Sequence, residues 1–147
     1  MIEVITEIVI NETVDKVYDY AVDPDNAPDW YENIRTVEWK GPKQIKIGSK
    51  IAFKAFFLGR ELAYIYEIVE LVKGKTLVMR TADGPFLMET TYIFTPLDDN
   101  STSMTLRNRG NPSGFSILFS PLMAVMMKKA NKKDLRKIKK KIESKKM

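Results

Sequence analysis

Two hydrophobic rhythms alternate along this chain. Residues 2–10, Ile-Glu-Val-Ile-Thr-Glu-Ile-Val-Ile, are rich in β-branched side chains and partly alternate with polar ones, which suits a strand. The period then lengthens. Val14, Val17, Tyr18, Ala21 and Val22 follow the i, i+3, i+4, i+7, i+8 template of a helix, with Asn11 as its expected cap and Glu12 and Asp15 in its first turn. Asp23-Pro24 stops that helix and starts another turn or two reaching Trp30, too short to persist unless it packs on something.

From Ile34 onward the period returns to two. Turn signals at Gly41-Pro42, Gly48, Gly59, Lys73-Gly74, Asp83-Gly84-Pro85 and Asp98-Asp99-Asn100 divide the stretch into strands near 34–40, 50–58, 60–72, 75–82, 86–96 and 101–109. The connections are short enough for an antiparallel meander, and Pro96 is expected to end its strand. Alternation assigns one face to Ile51, Phe53, Ala55 and Phe57, to Leu62, Tyr64, Tyr66 and Ile68, to Leu77 and Met79, to Met88, Thr90, Tyr92 and Phe94, and to Met104 and Leu106. The other face, with Lys54, Glu61, Glu67, Arg80, Glu89, Thr91 and Arg107, is the expected solvent side.

The last segment, Gly114 to Met147, reads as a long helix. An uncharged run from Phe115 to Met127 passes into a lysine-rich stretch that keeps Leu135, Ile138 and Ile142 on one narrow stripe. In the uncharged half, Leu118, Leu122, Val125 and Met126 form a wider surface that needs a cover, and the strands supply one. Ser120-Pro121 reads as a cap and first helical residue; a kink in a helix already begun near Gly114 is the alternative.

Composition narrows the chemistry. The 147 residues suit one domain, in which roughly 70% of the extended-chain surface is buried. With no Cys and no His, the chain has no disulfide, no thiolate nucleophile, no Cys or His metal ligand and no imidazole base. Asp23, Asp25 and Asp29 resemble a calcium loop only loosely, since Ala27 stands at a ligand position and no Glu closes it, so no metal or cofactor is expected. The opening Met1–Ile10, with Glu3 and Glu7, does not read as a secretory signal, and the 115–127 run is too short to span a bilayer, so a cytoplasmic protein is expected. The net charge of +5 divides into +9 over residues 128–147 and −4 elsewhere. Lys139, Lys140, Lys141, Lys145 and Lys146 could attract an anionic membrane, whereas the lack of an aromatic residue among them argues against nucleic acid.

The order of these elements carries a resemblance. Ile8-Val9-Ile10 leads to Thr13-Val14-Asp15-Lys16-Val17-Tyr18; Asp23-Pro24 precedes Asp29-Trp30-Tyr31; Gly48 precedes the third strand; Tyr92-x-Phe94-x-Pro96 and Asp134-Leu135-Arg136-Lys137-Ile138-Lys139 follow. Over nearly the whole chain this resembles the START-like (SRPBCC) superfamily, in particular its polyketide cyclase/dehydrase-like group. The resemblance implies an α+β helix-grip fold, in which a seven-stranded antiparallel curved sheet wraps a long C-terminal helix and two short helices follow the first strand. It also implies an apolar cavity for a lipid or other hydrophobic small molecule. Lining candidates are then Phe53, Phe57, Tyr64, Tyr66, Met79, Met88, Thr90, Tyr92, Asn108, Leu118, Leu122 and Met126. Three functions are expected to compete: hydrophobic-ligand binding or transport, which the pattern favours; a cyclase or dehydratase, whose charged candidates Arg80 and Glu89 fall on the solvent face; and association with a membrane or RNA through the basic end.

Overall fold

The computed structural model describes residues 2–57, 59–83, 87–111 and 120–144. The chain runs β1 (Ile2–Ile10), α1 (Val14–Val22), a 3-10 turn (Pro24–Asn26), α2 (Ala27–Trp30), β2 (Ile34–Trp39), β3 (Lys50–Phe57), β4 (Arg60–Val72), β5 (Thr76–Asp83), β6 (Leu87–Asp98), β7 (Ser101–Asn111) and α3 (Ser120–Ser144). The seven strands make one antiparallel sheet in the order β1-β7-β6-β5-β4-β3-β2, which grips α3: the helix-grip fold. Register shifts interrupt β2 at Ile34/Thr36 and β4 at Ile65/Tyr66 and Ile68/Glu70, and such bulges add the local twist that lets a sheet curl around a helix.

Two expectations about the elements need correction. The cap of α1 is Thr13, whose hydroxyl accepts the Lys16 N–H, while the Asn11 N–H is instead given to Glu143 on α3 at 2.8 Å. Glu12 therefore precedes the helix, its carboxylate accepting the Thr13 N–H. Pro96 does not end β6, which continues to Asp98. The Phe94 N–H points to Lys75, in the turn where β5 begins, and two residues on the same side of β6 has no strand beside it, so proline's missing N–H leaves no ladder bond unmade. The expected start of the last helix between Gly114 and Phe119 lies outside the described residues.

The core lies between the inner sheet face and the three helices. Ile10, Val17, Trp30, Ile51, Ile68, Met104, Leu106, Leu135 and Ile138 are all but fully buried. Tyr18 meets Phe94 edge to face at 5.5 Å, and Trp30 stacks at 4.0 Å on Tyr31. Polar ties fasten α3 over this core. Lys139 donates to the Val9 carbonyl at 2.7 Å and to Glu143 at 2.6 Å, while Asp134 accepts the Glu32 N–H at 3.0 Å. Lys139 is thus committed to holding helix on strand and is not part of a free basic surface. Lys140 and Lys141 are exposed; Lys145 and Lys146 lie outside the described residues.

At Gly110 the neighbouring strand β6 leaves no room for a side chain. A Cβ there would run into the Met88 sulfur and sit 2.8 Å from the Leu87 carbonyl oxygen, and a backbone atom cannot swing aside as a methionine can. Gly110→Ala is expected to destabilise the protein by about 1–3 kcal/mol in thermal denaturation. An unchanged midpoint would mean that β6 and β7 separate freely at this end.

Candidate functional site

Between the sheet and α3 lies a cavity of about 160 Å³. Its floor comes from strand positions two apart, which alternation sends to one face: Phe53 and Ala55 of β3, Leu62, Tyr64 and Tyr66 of β4, Met79 of β5, Met88 and Thr90 of β6, and Asn108 of β7. Tyr31, Asn33 and Ile34 close one side. The roof is Met127, Ala130, Asn131 and Asp134 of α3. These roof positions are three, four and seven apart, and the same stripe continues to Leu135, Ile138 and Ile142 in the core.

Seven of the strand residues expected around the cavity surround it: Phe53, Tyr64, Tyr66, Met79, Met88, Thr90 and Asn108. Tyr92 sits deeper, its ring 5.7 Å from that of Trp30 and its hydroxyl 2.5 Å from that of Tyr31. The Phe57 side chain and Leu118 lie outside the described residues. The helix expectation is corrected. Leu122 is 56% exposed and Val125 66%, and Met126 is half-buried without reaching the wall. The reason is phase: nine residues separate Leu122 from Asn131, two and a half turns at 3.6 residues each, so the two point to opposite sides of the helix. Sequence reasoning followed hydrophobicity into the uncharged half and missed Asn131 and Asp134. The available signal was a polar pair set on the stripe that Leu135 and Ile138 continue.

Burial dominates the electrostatics. It pushes the Asp134 carboxyl up to about 7, with the Glu32 carboxylate adding to the rise while the Glu32 N–H, Lys137 and Lys133 oppose it. It raises Tyr31 and Tyr92 well above the usual phenol range, raises Tyr64, and lifts Tyr66 to about 12 against a hydrogen bond with Thr90. These tyrosines are therefore neutral near pH 7. The Thr90 hydroxyl donates to Asn108 Oδ1 at 2.6 Å. No lysine or arginine is among the described lining residues. The site can shelter an apolar molecule, offer it neutral hydrogen-bonding groups, and present one carboxyl that gains or loses its proton near neutrality.

A hollow on the outer sheet face is larger, about 520 Å³, but is a charged depression with Glu70, Arg80, Glu89 and Arg107 at its walls. Three of these four charges are already matched: Glu89 takes Arg80 at 2.5 Å and Arg109 at 3.0 Å, and Arg107 pairs with Glu3. The Arg80 hydrogen bond holds the Glu89 carboxyl below its ordinary range, which suits a surface ion pair. The inner cavity, being apolar and set between the sheet and α3, is the better candidate despite its smaller volume. Among the described residues no group of three or more carboxylates gathers to hold a metal ion, and no helix is long and apolar enough to cross a membrane.

Known structures share this architecture. A START superfamily protein from Mycobacterium smegmatis superposes with a TM-score of 0.85 at 12% identity, over 98% of this chain and 99% of its own. A protein from Thermus thermophilus gives 0.84 at 17% identity, over 99% of each chain. The Zhui aromatase/cyclase from Streptomyces sp. R1128 gives 0.79 at 13% identity, over 96% of this chain and 93% of that one. At such identities the likeness establishes the fold. Comparison with curated protein sequences gives no match. The profile of one family matches residues 1–143, nearly the whole length, and on that match the chain belongs to the family described as polyketide cyclase / dehydrase and lipid transport.

Proposed function

We propose that this protein binds a small, largely apolar molecule in the cavity between the sheet and α3. The observation that carries the reading is the cavity itself: about 160 Å³ of space walled by Phe53, Leu62, Tyr64, Met79 and Met88, beside a closely packed core. Its mostly apolar walls face open space, so an occupant would take that surface out of water and gain contacts with it. Its volume sets the scale of that occupant. An engineered cavity of about 150 Å³ takes benzene, and drug-sized pockets begin near 300 Å³, so the space suits a single ring, a short acyl segment or one arm of a longer ligand.

The expected result is that one-ring and short-chain hydrophobic compounds raise the melting temperature by several degrees, since ligand at a hundredfold excess over its Kd stabilises by about 2.7 kcal/mol. Ala130→Trp, which fills the cavity from the helix side, should fold and lose that response. A flat response to the whole panel in the unaltered protein sinks the reading. A second reading, acid catalysis of a cyclase or dehydratase type, is favoured by the carboxyl of Asp134 in the wall, poised near neutrality. Product appearing in the same incubations with poly-β-keto compounds, followed by mass spectrometry, would favour it over simple binding.

A further inference from the structure

The roof of the cavity holds a polar group that no described residue satisfies. Asn131 is only 6% exposed, and its side-chain nitrogen has no hydrogen-bond partner among the described residues. A buried amide donor left unmatched is costly, and native structures rarely carry one without a partner in the working state. Asn131 is a wall residue of the cavity; its amide nitrogen is itself covered, and its terminal torsion has a broad, shallow profile, so rotation about it can bring the donor to the space below. One turn further along the helix, Asp134 lines the same wall.

We infer that this end of the cavity selects an uncharged ligand whose carbonyl oxygen accepts a hydrogen bond from the Asn131 amide, and rejects a carboxylate of the same shape. The inference rests on the cavity being a binding site, and names the chemistry of its occupant. Rejection follows from what surrounds Asp134. The Glu32 carboxylate faces it from the segment after α2; Lys133, which would offset it, is bound to Glu32 at 3.2 Å, and Lys137 is exposed to solvent. The hydroxyls of Tyr31, Tyr66 and Tyr92 contribute no positive charge. An anion placed here would lose its water without gaining a counter-ion, whereas a carbonyl loses little and meets a waiting donor.

Amide-detected NMR titrations of the full chain with acetophenone, ethylbenzene and benzoate test this, three one-ring probes of nearly one shape that suit the cavity's volume. The ratio of acetophenone to ethylbenzene affinity is the readout, because ligand hydrophobicity cancels when it is compared between variants. In Asn131→Leu the ratio is expected to fall about tenfold while ethylbenzene still binds, which itself shows that the variant is folded. Asn131→Ala, which leaves the space open, should give the same fall. Benzoate, titrated at pH 8 where the Asp134 carboxyl is ionised, should bind at least about tenfold more weakly than acetophenone and regain affinity in Asp134→Asn. An unchanged ratio in both Asn131 variants overturns the carbonyl assignment and leaves the cavity reading standing, with water as the amide's partner. Benzoate binding as tightly as acetophenone overturns the charge selection. If none of the three probes shifts cavity amides such as Thr90 and Ala130, the binding reading and this inference fall together.

Discussion

Ile138→Ala is expected to lower the unfolding free energy by about 2–5 kcal/mol. Ile138 has no exposed surface, sits mid-way along the lysine-rich half of α3, and belongs to the same buried cluster as Trp30, Met104 and Leu106, so the vacated volume has rigid walls on every side. Against a total stability of about 5–15 kcal/mol, that is on the order of a third of what keeps the chain folded. Lys140→Gln, two residues on and exposed, should move stability by under about 0.5 kcal/mol. Urea unfolding of the two variants side by side is the measurement. Equal midpoints would mean that the second half of α3 does not seat against the sheet.

Stability should also fall as pH rises from about 4 toward neutrality, and Asp134 is the reason. Its carboxyl is raised from an ordinary 3.8 to about 7 in the folded protein, so between those values the folded state holds a proton that the unfolded state has released. The sign follows: this group contributes fully below about pH 4, loses its contribution steadily between about pH 4 and 7, and leaves stability level above, a change of up to about 4 kcal/mol at 1.4 kcal/mol per pH unit. Glu89, Asp25 and Asp98 have depressed values and act in the opposite sense, but only in more acid solution. The absence of histidine keeps the window from pH 5 to 8 otherwise quiet. Urea unfolding at pH 5, 6, 7 and 8 should trace the decline, and Asp134→Asn, which keeps an oxygen for the Glu32 N–H, should flatten it. A level profile in the unaltered protein would show that water reaches the carboxyl.

The strands were legible in the sequence because one face is buried and the other wet, so period-two alternation survives over most of Ile51 to Leu106; Thr91, expected on the solvent face, is instead 7% exposed between buried Thr90 and Tyr92. The floor of the cavity came with it, since Phe53, Tyr64, Met79 and Thr90 are simply inward positions. The roof did not. Leu122 and Val125 are more hydrophobic than Asn131 and Asp134, and hydrophobicity alone would bury the first pair; the phase of the helix is set further along, where Leu135, Ile138 and Ile142 lock into the core, and that phase carries the polar pair inward. The cap of α1 was misplaced for a related reason. Asn11 and Thr13 are both competent caps, and the choice was made by a distant residue, Glu143, which takes the Asn11 N–H.

The position of β1 at the edge of the sheet, beside β7, has a consequence in time. Ile2 pairs with Gly110 and Ile10 with Thr102, so the first strand of this sheet to leave the ribosome waits for the sheet's last one. At about 5–20 residues per second, that wait is on the order of 5–20 s, during which a β-branched segment stays without its ladder. Glu3 and Glu7 stand on the solvent-facing side of that segment, where charge discourages pairing with a neighbouring nascent chain. Once β7 arrives, Glu3 pairs with Arg107 in the strand beside it, so the charge that guards the waiting strand becomes a tie across the finished edge.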